Sequence, residues 1–420
     1  MDLDIKGINN KKRQNIIATN TSMLVMLNIA KLVFPFFTLP YLTRVLSTDC
    51  YGIVAYEKAI MNYMQVVIDF GFALSATKQV VQYKEDKSKL DYIVSTNIIA
   101  KVMLATIACL VLTALIVMIP ILRVNVLYTY LSFTSVFMTI FLLDFLFRGL
   151  EKMHIITIRF VIMKGIATLL TFIFVKKNSD ILLIPILELI GSIVAAIWIY
   201  LEVRKVGIRY VHPKIKDCLA TISESAVYFL SNVASTTFNV LNTVVAGIVL
   251  TSADVAYWSV CIQIISAGQA LYSPISDAIY PEMVRSKDAC LLKKIITTFT
   301  PLIILGCLLC VLWGKYALLI VGGEKYLGAI SIFRDLIPVL FLGFYAIILG
   351  WPALGSINRI KETTKSTVTA AIIQILFTGI AVLIGKYTLL FMAIIRCMGE
   401  VVMFSMRFYY FKKYRNEFNN

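Results

Sequence analysis

The sequence predicts an all-α integral membrane protein, with twelve transmembrane helices in two pseudo-symmetric six-helix lobes around a central cavity. Three observations carry this expectation. The chain of 420 residues is 59% hydrophobic with a mean hydropathy of +0.84, more apolar surface than a soluble core of that length requires. Its apolar residues gather into twelve stretches, and crossing hydrocarbon as a helix takes about 20 residues. Finally, two pairs of these stretches, offset by about 202 residues, repeat one pattern of polar side chains.

The stretches lie at about 17–42, 53–74, 93–119, 125–147, 155–175, 181–201, 223–249, 254–279, 295–320, 332–354, 367–385 and 388–409. The first is too long for a signal peptide and has no small-residue cleavage site, so it reads as a span. The connections are short, and none is long enough to fold as a soluble domain. A net charge of +16 would suggest nucleic acid in a soluble protein, but its placement points to a membrane. With the N-terminus inside, 26 basic residues fall on cytoplasmic segments, against Arg44, Arg123, Lys176, Lys177, Lys325 and Lys386 on the other side. Both termini are therefore expected in the cytoplasm, as an even span count requires. The repeat offset divides the chain into an N-terminal lobe at 1–205, a basic cytoplasmic linker at 206–217 and a C-terminal lobe at 218–420. Six spans per lobe give both lobes one orientation, related by an axis along the membrane normal.

The repeated pattern is specific. Leu46-Ser47-Thr48-Asp49 followed by Val54-Ala55-Tyr56 answers to Leu250-Thr251-Ser252 followed by Val255-Ala256-Tyr257. With Leu46 laid on Leu250, Asn28, Lys31, Pro35 and Thr38 fall on Asn232, Ser235, Asn239 and Asn242. With Val54 laid on Val255, Lys58, Asn62 and Gln65 fall on Ser259, Gln263 and Ser266. These spacings put each set on one face of a helix. Hydrocarbon does not tolerate such faces, so they must look onto each other or onto water. Polar stripes in matching helices of a duplicated membrane protein are the pattern of a transporter.

Lys31 is the most informative single residue, because a lysine near the middle of a span costs about 2.5–3.5 kcal/mol. Pro35 removes the helical donor for its carbonyl, and Pro40 does the same for Phe36, so a broken first helix is expected. In the second span Lys58, Asn62, Gln65 and Asp69 share a face about 60° wide. The candidate substrate-binding residues are Lys31, Asn28, Lys58, Asn62, Gln65, Asn232, Asn239, Asn242 and Gln263. Asp69, Asp144, Glu188 and Glu224 are the candidates for ion coupling. Lys101, Arg159 and Lys164 either add to a basic cavity or neutralise Asp144 and Glu188. Arg396 and Glu400, four apart on one helix, are expected to pair. No nucleotide-binding loop, acidic metal cluster or Ser/His or Cys/His pair placed for catalysis is present. No catalytic residue, metal or cofactor is therefore expected. Cys307 and Cys310 form a CxxC, but on a hydrophobic span in a chain with two histidines, which reads as packing.

Five runs resemble a known family. Leu39-Pro40-Tyr41-Leu42-Thr43-Arg44-Val45-Leu46, Tyr51-Gly52-Ile53 and Asp69-Phe70-Gly71-Phe72-Ala73-Leu74-Ser75-Ala76-Thr77 are similar to the N-terminus of Wzx-type O-antigen repeat-unit flippases. That polysaccharide transport family belongs to the multidrug/oligosaccharidyl-lipid/polysaccharide exporter superfamily. Phe147-Arg148-Gly149-Leu150-Glu151-Lys152-Met153 resembles its signature after the fourth span, and Gly268 to Pro281 resembles its eighth-span signature. The resemblance implies transfer of a polyprenyl-pyrophosphate-linked oligosaccharide from the cytoplasmic to the outer leaflet of a bacterial inner membrane. It also implies that the first, second, seventh and eighth helices border the cavity. The expected partners are that glycolipid and membrane lipid, with no nucleic acid. H+ or Na+ are the candidate coupling ions, and a polysaccharide polymerase with its chain-length machinery the candidate protein partners.

Two other readings compete. A multidrug or cation antiporter of the same superfamily would favour acidic and aromatic cavity residues, whereas these stripes hold lysine and amides. A membrane polysaccharide polymerase would need a large outer loop. The charge distribution is directly testable: alkaline phosphatase fused after Lys413 should be inactive, and fused after Lys177 active. The opposite pattern would invert the orientation.

Overall fold

The computed structural model describes the backbone of residues 2–419 and the side chains of residues 19–419. Lys6, Lys11, Lys12 and Arg13, counted above as cytoplasmic, lie outside the described side chains. Among the described residues every regular element is a helix, and extended pairing is limited to one bridge between Asp288 and Asn419.

In chain order the first half holds α1 (Asp2–Val45), α2 (Thr48–Asp69), α3 (Phe72–Gln82), α4 (Lys87–Met118), α5 (Pro120–Val124) and α6 (Val126–Met138), then α7 (Asp144–Gly149), α8 (Met153–Phe174) and α9 (Leu183–Val206). The second half holds α10 (Ile215–Val249), α11 (Ser252–Ala270), α12 (Tyr272–Ser286), α13 (Ala289–Gly322) and α14 (Ile330–Asp335). It closes with α15 (Ile337–Ile348), α16 (Ile360–Leu383) and α17 (Leu389–Lys413). Eleven helical stretches among the described residues are long and apolar enough to cross a membrane. The eighth expected span, 254–279, is helical but divided between α11 and α12, and it is not among the eleven. One expectation is corrected: α1 runs unbroken past Pro35 and Pro40. A membrane helix accommodates such residues when local adjustment or nearby groups satisfy the freed backbone.

The breaks fall elsewhere, and they come in repeat-related pairs. The second span ends α2 at Asp69 and turns through Phe70 (φ 39°) and Gly71 (φ 86°) before α3. The offset that lays Val54 on Val255 lays Phe70 on Leu271, where the eighth span divides. The fourth span tightens into a 3-10 turn at Thr139–Leu142 and passes through Leu143 (φ 48°) into α7. Its counterpart, the tenth span, widens into a π-helix at Leu349–Gly355 around Pro352. Both lead to a left-handed residue just beyond, Glu151 (φ 58°) and Asn358 (φ 62°). Irregular backbone of this kind survives at membrane depth only where protein or water satisfies it.

The chain packs as two compact units, one of Met1–Thr38 with Ile60–Asn232, the other of Leu39–Ala59 with Val233–Asn420. This division by packing cuts through α1, α2 and α10, whereas the division at 206–217 follows the repeat. In unit 1, buried Phe72, Leu90, Phe145, Phe147, Ile156 and Ile199 form the core, so α7 beyond the fourth-span break sits at its centre. In unit 2, Met283, Leu292, Phe344, Ile348, Leu349 and Leu354 do the same around the π-helix.

Close approach fixes two glycines. A Cβ on Gly52 would lie 1.8 Å from the Ser252 carbonyl oxygen at the start of α11, and one on Gly247 would lie 2.1 Å from the ring of buried Tyr56. All four residues belong to unit 2. Gly52→Ala should therefore destabilise the protein by about 1–3 kcal/mol, as overpacking against backbone does. The measurement is the unfolding temperature of detergent-solubilised protein. Gly306→Ala, with nothing within 4 Å, is the control and should be neutral or slightly stabilising.

Candidate functional site

In unit 1 the helix breaks carry the charged chemistry. Asp69 is the last residue of α2, and its carboxylate is held from two sides. Lys101 of α4 donates to Oδ1 at 2.8 Å, and Gln65, one turn back on α2, donates to Oδ2 at 2.7 Å. The Gln65 amide nitrogen also reaches the hydroxyl of Thr139 at 3.1 Å, tying the break of the second span to that of the fourth. Asp144 opens α7, and its Oδ2 accepts from Arg159 of α8 at 2.8 Å. Arg159 is 5% exposed, and its Nε and the Asp144 Oδ1 are buried without a hydrogen-bond partner among the described residues. Asp144 also feels the charges of Lys101, Asp69 and Arg148, and Lys31 feels those of Asp144, Arg148 and Arg159. The result is one electrostatic cluster in which Lys31, Lys101, Arg148 and Arg159 outnumber Asp69 and Asp144.

Lys31 is exposed, and no ion pair among the described residues includes it. The carboxylates that could have neutralised it have other partners: Asp69 has Lys101, and Glu188 has Lys164 at 3.6 Å. Asn28 is exposed on α1, and Asn62 on α2. Glu224 is exposed on α10 and accepts from Gln79 at 3.1 Å. Asn232, the last residue of unit 1, is exposed as well.

In unit 2 the candidates divide. Lys58 and Asn239 are exposed, the latter donating to the Ser235 carbonyl of its own helix at 2.9 Å. Gln263 is half-buried and donates to the Tyr51 hydroxyl at 2.9 Å. Asn242 is 2% exposed and is built into packing rather than an open face. Its amide donates to the Met392 carbonyl at 3.3 Å, its side-chain oxygen accepts from Thr378, and its carbonyl accepts from Tyr387. Arg396 and Glu400 pair at 3.0 Å as their spacing predicts, and Gln269 donates to the same carboxylate at 3.3 Å.

Helical spacing in the sequence marks candidate polar faces but gives no hint of most of the breaks. Gly71 was a signal for the first, and Pro352 for the tenth span. The segment 139–143 holds neither glycine nor proline, and no local signal marks it. Among the described residues, no group of three or more His, Cys, Asp and Glu side chains could hold a metal.

Helical bundles with paired breaks and charges inside their spans define a polytopic membrane protein of transporter fold. An inward-facing multidrug resistance MATE family transporter of the MOP superfamily has a TM-score of 0.64 at 14% identity, over 93% of this chain and 99% of that one. A MOP superfamily transporter from Pyrococcus furiosus, described as having a binding pocket of reverse polarity, has a TM-score of 0.54 at 17% identity, over 94% and 95%. Residues 17–287, well over half of the chain, match the family described as "Polysaccharide biosynthesis protein", and the chain belongs to that family. An Escherichia coli (strain K12) protein named "Putative O-antigen transporter" is 25% identical over 364 residues, 85% of this chain and 88% of its own length. A Shigella dysenteriae protein of the same name is 28% identical over 266 residues, 63% and 66%.

The Asp144–Arg159 pair gives a direct test. Removing one partner of a buried pair costs about 3–5 kcal/mol, and the partly exposed carboxylate places this case near the lower end. Asp144→Asn should therefore lower the unfolding temperature, and Asp144→Asn with Arg159→Met should recover much of the loss. Losses in Asp144→Asn and Arg159→Met that simply add in the double variant would show that the two charges are not coupled.

Proposed function

We propose that the chain is a transporter that carries a polyprenyl-pyrophosphate-linked oligosaccharide repeat unit from the cytoplasmic to the outer leaflet of a bacterial inner membrane, with both termini in the cytoplasm. The observation that carries this reading is Lys31: a cation on a spanning helix, exposed, outside every ion pair among the described residues, and within the field of a cluster whose cations exceed its carboxylates. Such a cluster favours an anionic head, and a pyrophosphate is one. Family membership and the names of the two relatives support polysaccharide as the cargo class.

In this reading Lys31 meets the pyrophosphate or acidic sugars. Asn28, Asn62 and Asn232 of the same unit offer hydrogen bonds to sugar hydroxyls, whereas Gln65 serves the Asp69 carboxylate and Asn242 serves packing. Transport proceeds by alternating access and is coupled to H+ or Na+. Asp69 and Asp144 are the carboxylates placed to couple ion to cargo, since neutralising either adds positive charge to the cluster that holds the anion. At about 8 Å and an effective dielectric of 20, one added charge strengthens anion binding by ~2 kcal/mol. Proton uptake and anion loading therefore help each other, and loss of the proton favours release. Glu188 and Glu224 are secondary candidates. An excess of cations disfavours a cationic drug as cargo.

Lys31→Ala should abolish surface polysaccharide and accumulate lipid-linked intermediate on the inner leaflet, while the protein stays in the membrane at parental level. Lys31→Arg should retain part of the activity. Normal surface polysaccharide in Lys31→Ala would remove this lysine from the site.

A further inference from the structure

Where the fourth span breaks, the helices of unit 1 leave a cavity of about 780 Å³ that the transport reading does not use. Phe141 and Leu143 of the broken segment line one wall, and Ile193 and Ile197 of α9 another. The cavity is apolar along most of its length. Phe141, Ile193, Ile197 and Tyr200 are exposed, so its mouth opens on the surface of helices long and apolar enough to cross a membrane. This is the volume range of a site for one elongated small molecule.

One end of the cavity is different. There it is closed by Arg204 at the last turn of α9 and by Arg209 and Tyr210 just beyond. Both arginines are exposed, and neither takes part in an ion pair among the described residues. The next residue, Lys205, is neutralised by Glu202 at 2.7 Å. Arg204 lies 5.7 Å from the ring of Tyr200, which also lines the cavity. Arg209 is positioned through its backbone: Gly207 (φ 81°) turns the chain at the helix end, and the Asp91 carboxylate accepts the Arg209 N–H at 2.9 Å. The Lys87 ammonium lies 2.7 Å from where a Cβ on Gly207 would stand, adding a third cation beside this end. An apolar slot open to hydrocarbon and capped by unpaired guanidinium groups is complementary to a molecule with a long apolar tail and an anionic phosphate head. Basic pockets at the ends of spanning helices take anionic lipid headgroups in this way.

We propose that this slot binds one anionic phospholipid of the adjoining leaflet, with an acyl chain in the cavity and its phosphate on Arg204 and Arg209. The site is independent of the transport reading, because Lys31, Lys58 and the asparagine stripes take no part in it. Its occupant would fill the gap left behind the Thr139–Leu143 break and so brace the segment that presents Asp144.

The test is lipid binding to the purified full chain in detergent. Phosphatidylglycerol and phosphatidylcholine with the same acyl chains are titrated, and bound lipid is counted by native mass spectrometry. One tight phosphatidylglycerol is expected, with a preference over phosphatidylcholine that falls about fivefold for each arginine removed. Arg204→Gln with Arg209→Gln should bring the two lipids near parity. Ala196→Phe, which fills the cavity and leaves the arginines in place, should weaken both lipids; Ala196→Leu is the smaller filler if the first does not fold. The proposal is overturned by equal binding of the two lipids in the parent, or by an unchanged preference in the double arginine variant. It is equally overturned by unchanged phosphatidylglycerol binding in a folded Ala196 variant, which would put the lipid on surface charge alone. Displacement of phosphatidylglycerol by an equimolar polyprenyl phosphate would assign the slot to that carrier instead.

Discussion

Charge compensation at broken helices is the constraint on which the rest of this structure depends. In hydrocarbon a spanning segment must satisfy its own backbone, and an ionised side chain must find a partner or water. Asp69 and Asp144 stand where α2 ends and α7 begins, at the two places in unit 1 where regular helix fails. Each is met by a cation from a different helix, Lys101 of α4 and Arg159 of α8. The breaks are thereby cross-linked to the helices that remain whole, and α7 is carried into the core with Phe145 and Phe147. Because the cations exceed the carboxylates, the compensation leaves a positive field rather than a neutral one.

The two halves of the chain share these breaks but equip them differently. Beside the eighth-span break, Gln269 bonds the Val339 carbonyl and the Glu400 carboxylate, where the second span has an aspartate and a lysine. At the tenth-span π-helix, buried Arg407 donates to the Ala346 carbonyl at 2.6 Å and to the hydroxyls of Ser366 and Thr367. A widened turn leaves carbonyls without their usual donors, and a guanidinium can supply several at once. In unit 2 the polar groups at the breaks are spent on structure. In unit 1 they form ion pairs, Asp69 with Lys101 and Asp144 with Arg159. The backbone breaks recur in both halves, and the side chains that support them differ.

Helical spacing converts a list of residues into a candidate face, and Asn28, Lys31, Lys58, Asn62, Asn232 and Asn239 are exposed. The same spacing misled at Asn242, whose position on the asparagine stripe gives no hint that α16 and α17 close over it. Proline was misleading too: Pro35 and Pro40 leave α1 continuous. Conversely the break at Thr139–Leu142 has no glycine or proline to announce it. It exists because Gln65 and a packed core hold it, and these are distant in the chain.

The sequence by itself determined the class of protein and nominated the candidate polar faces. Hydropathy, charge placement and helical period are local quantities, and a bilayer reads them locally. Only the tertiary structure decided where the helices break, which cation each carboxylate keeps, and which asparagines are closed off. Those outcomes depend on pairs of residues up to 150 positions apart, such as Asn242 with Met392, and no local periodicity encodes such a meeting.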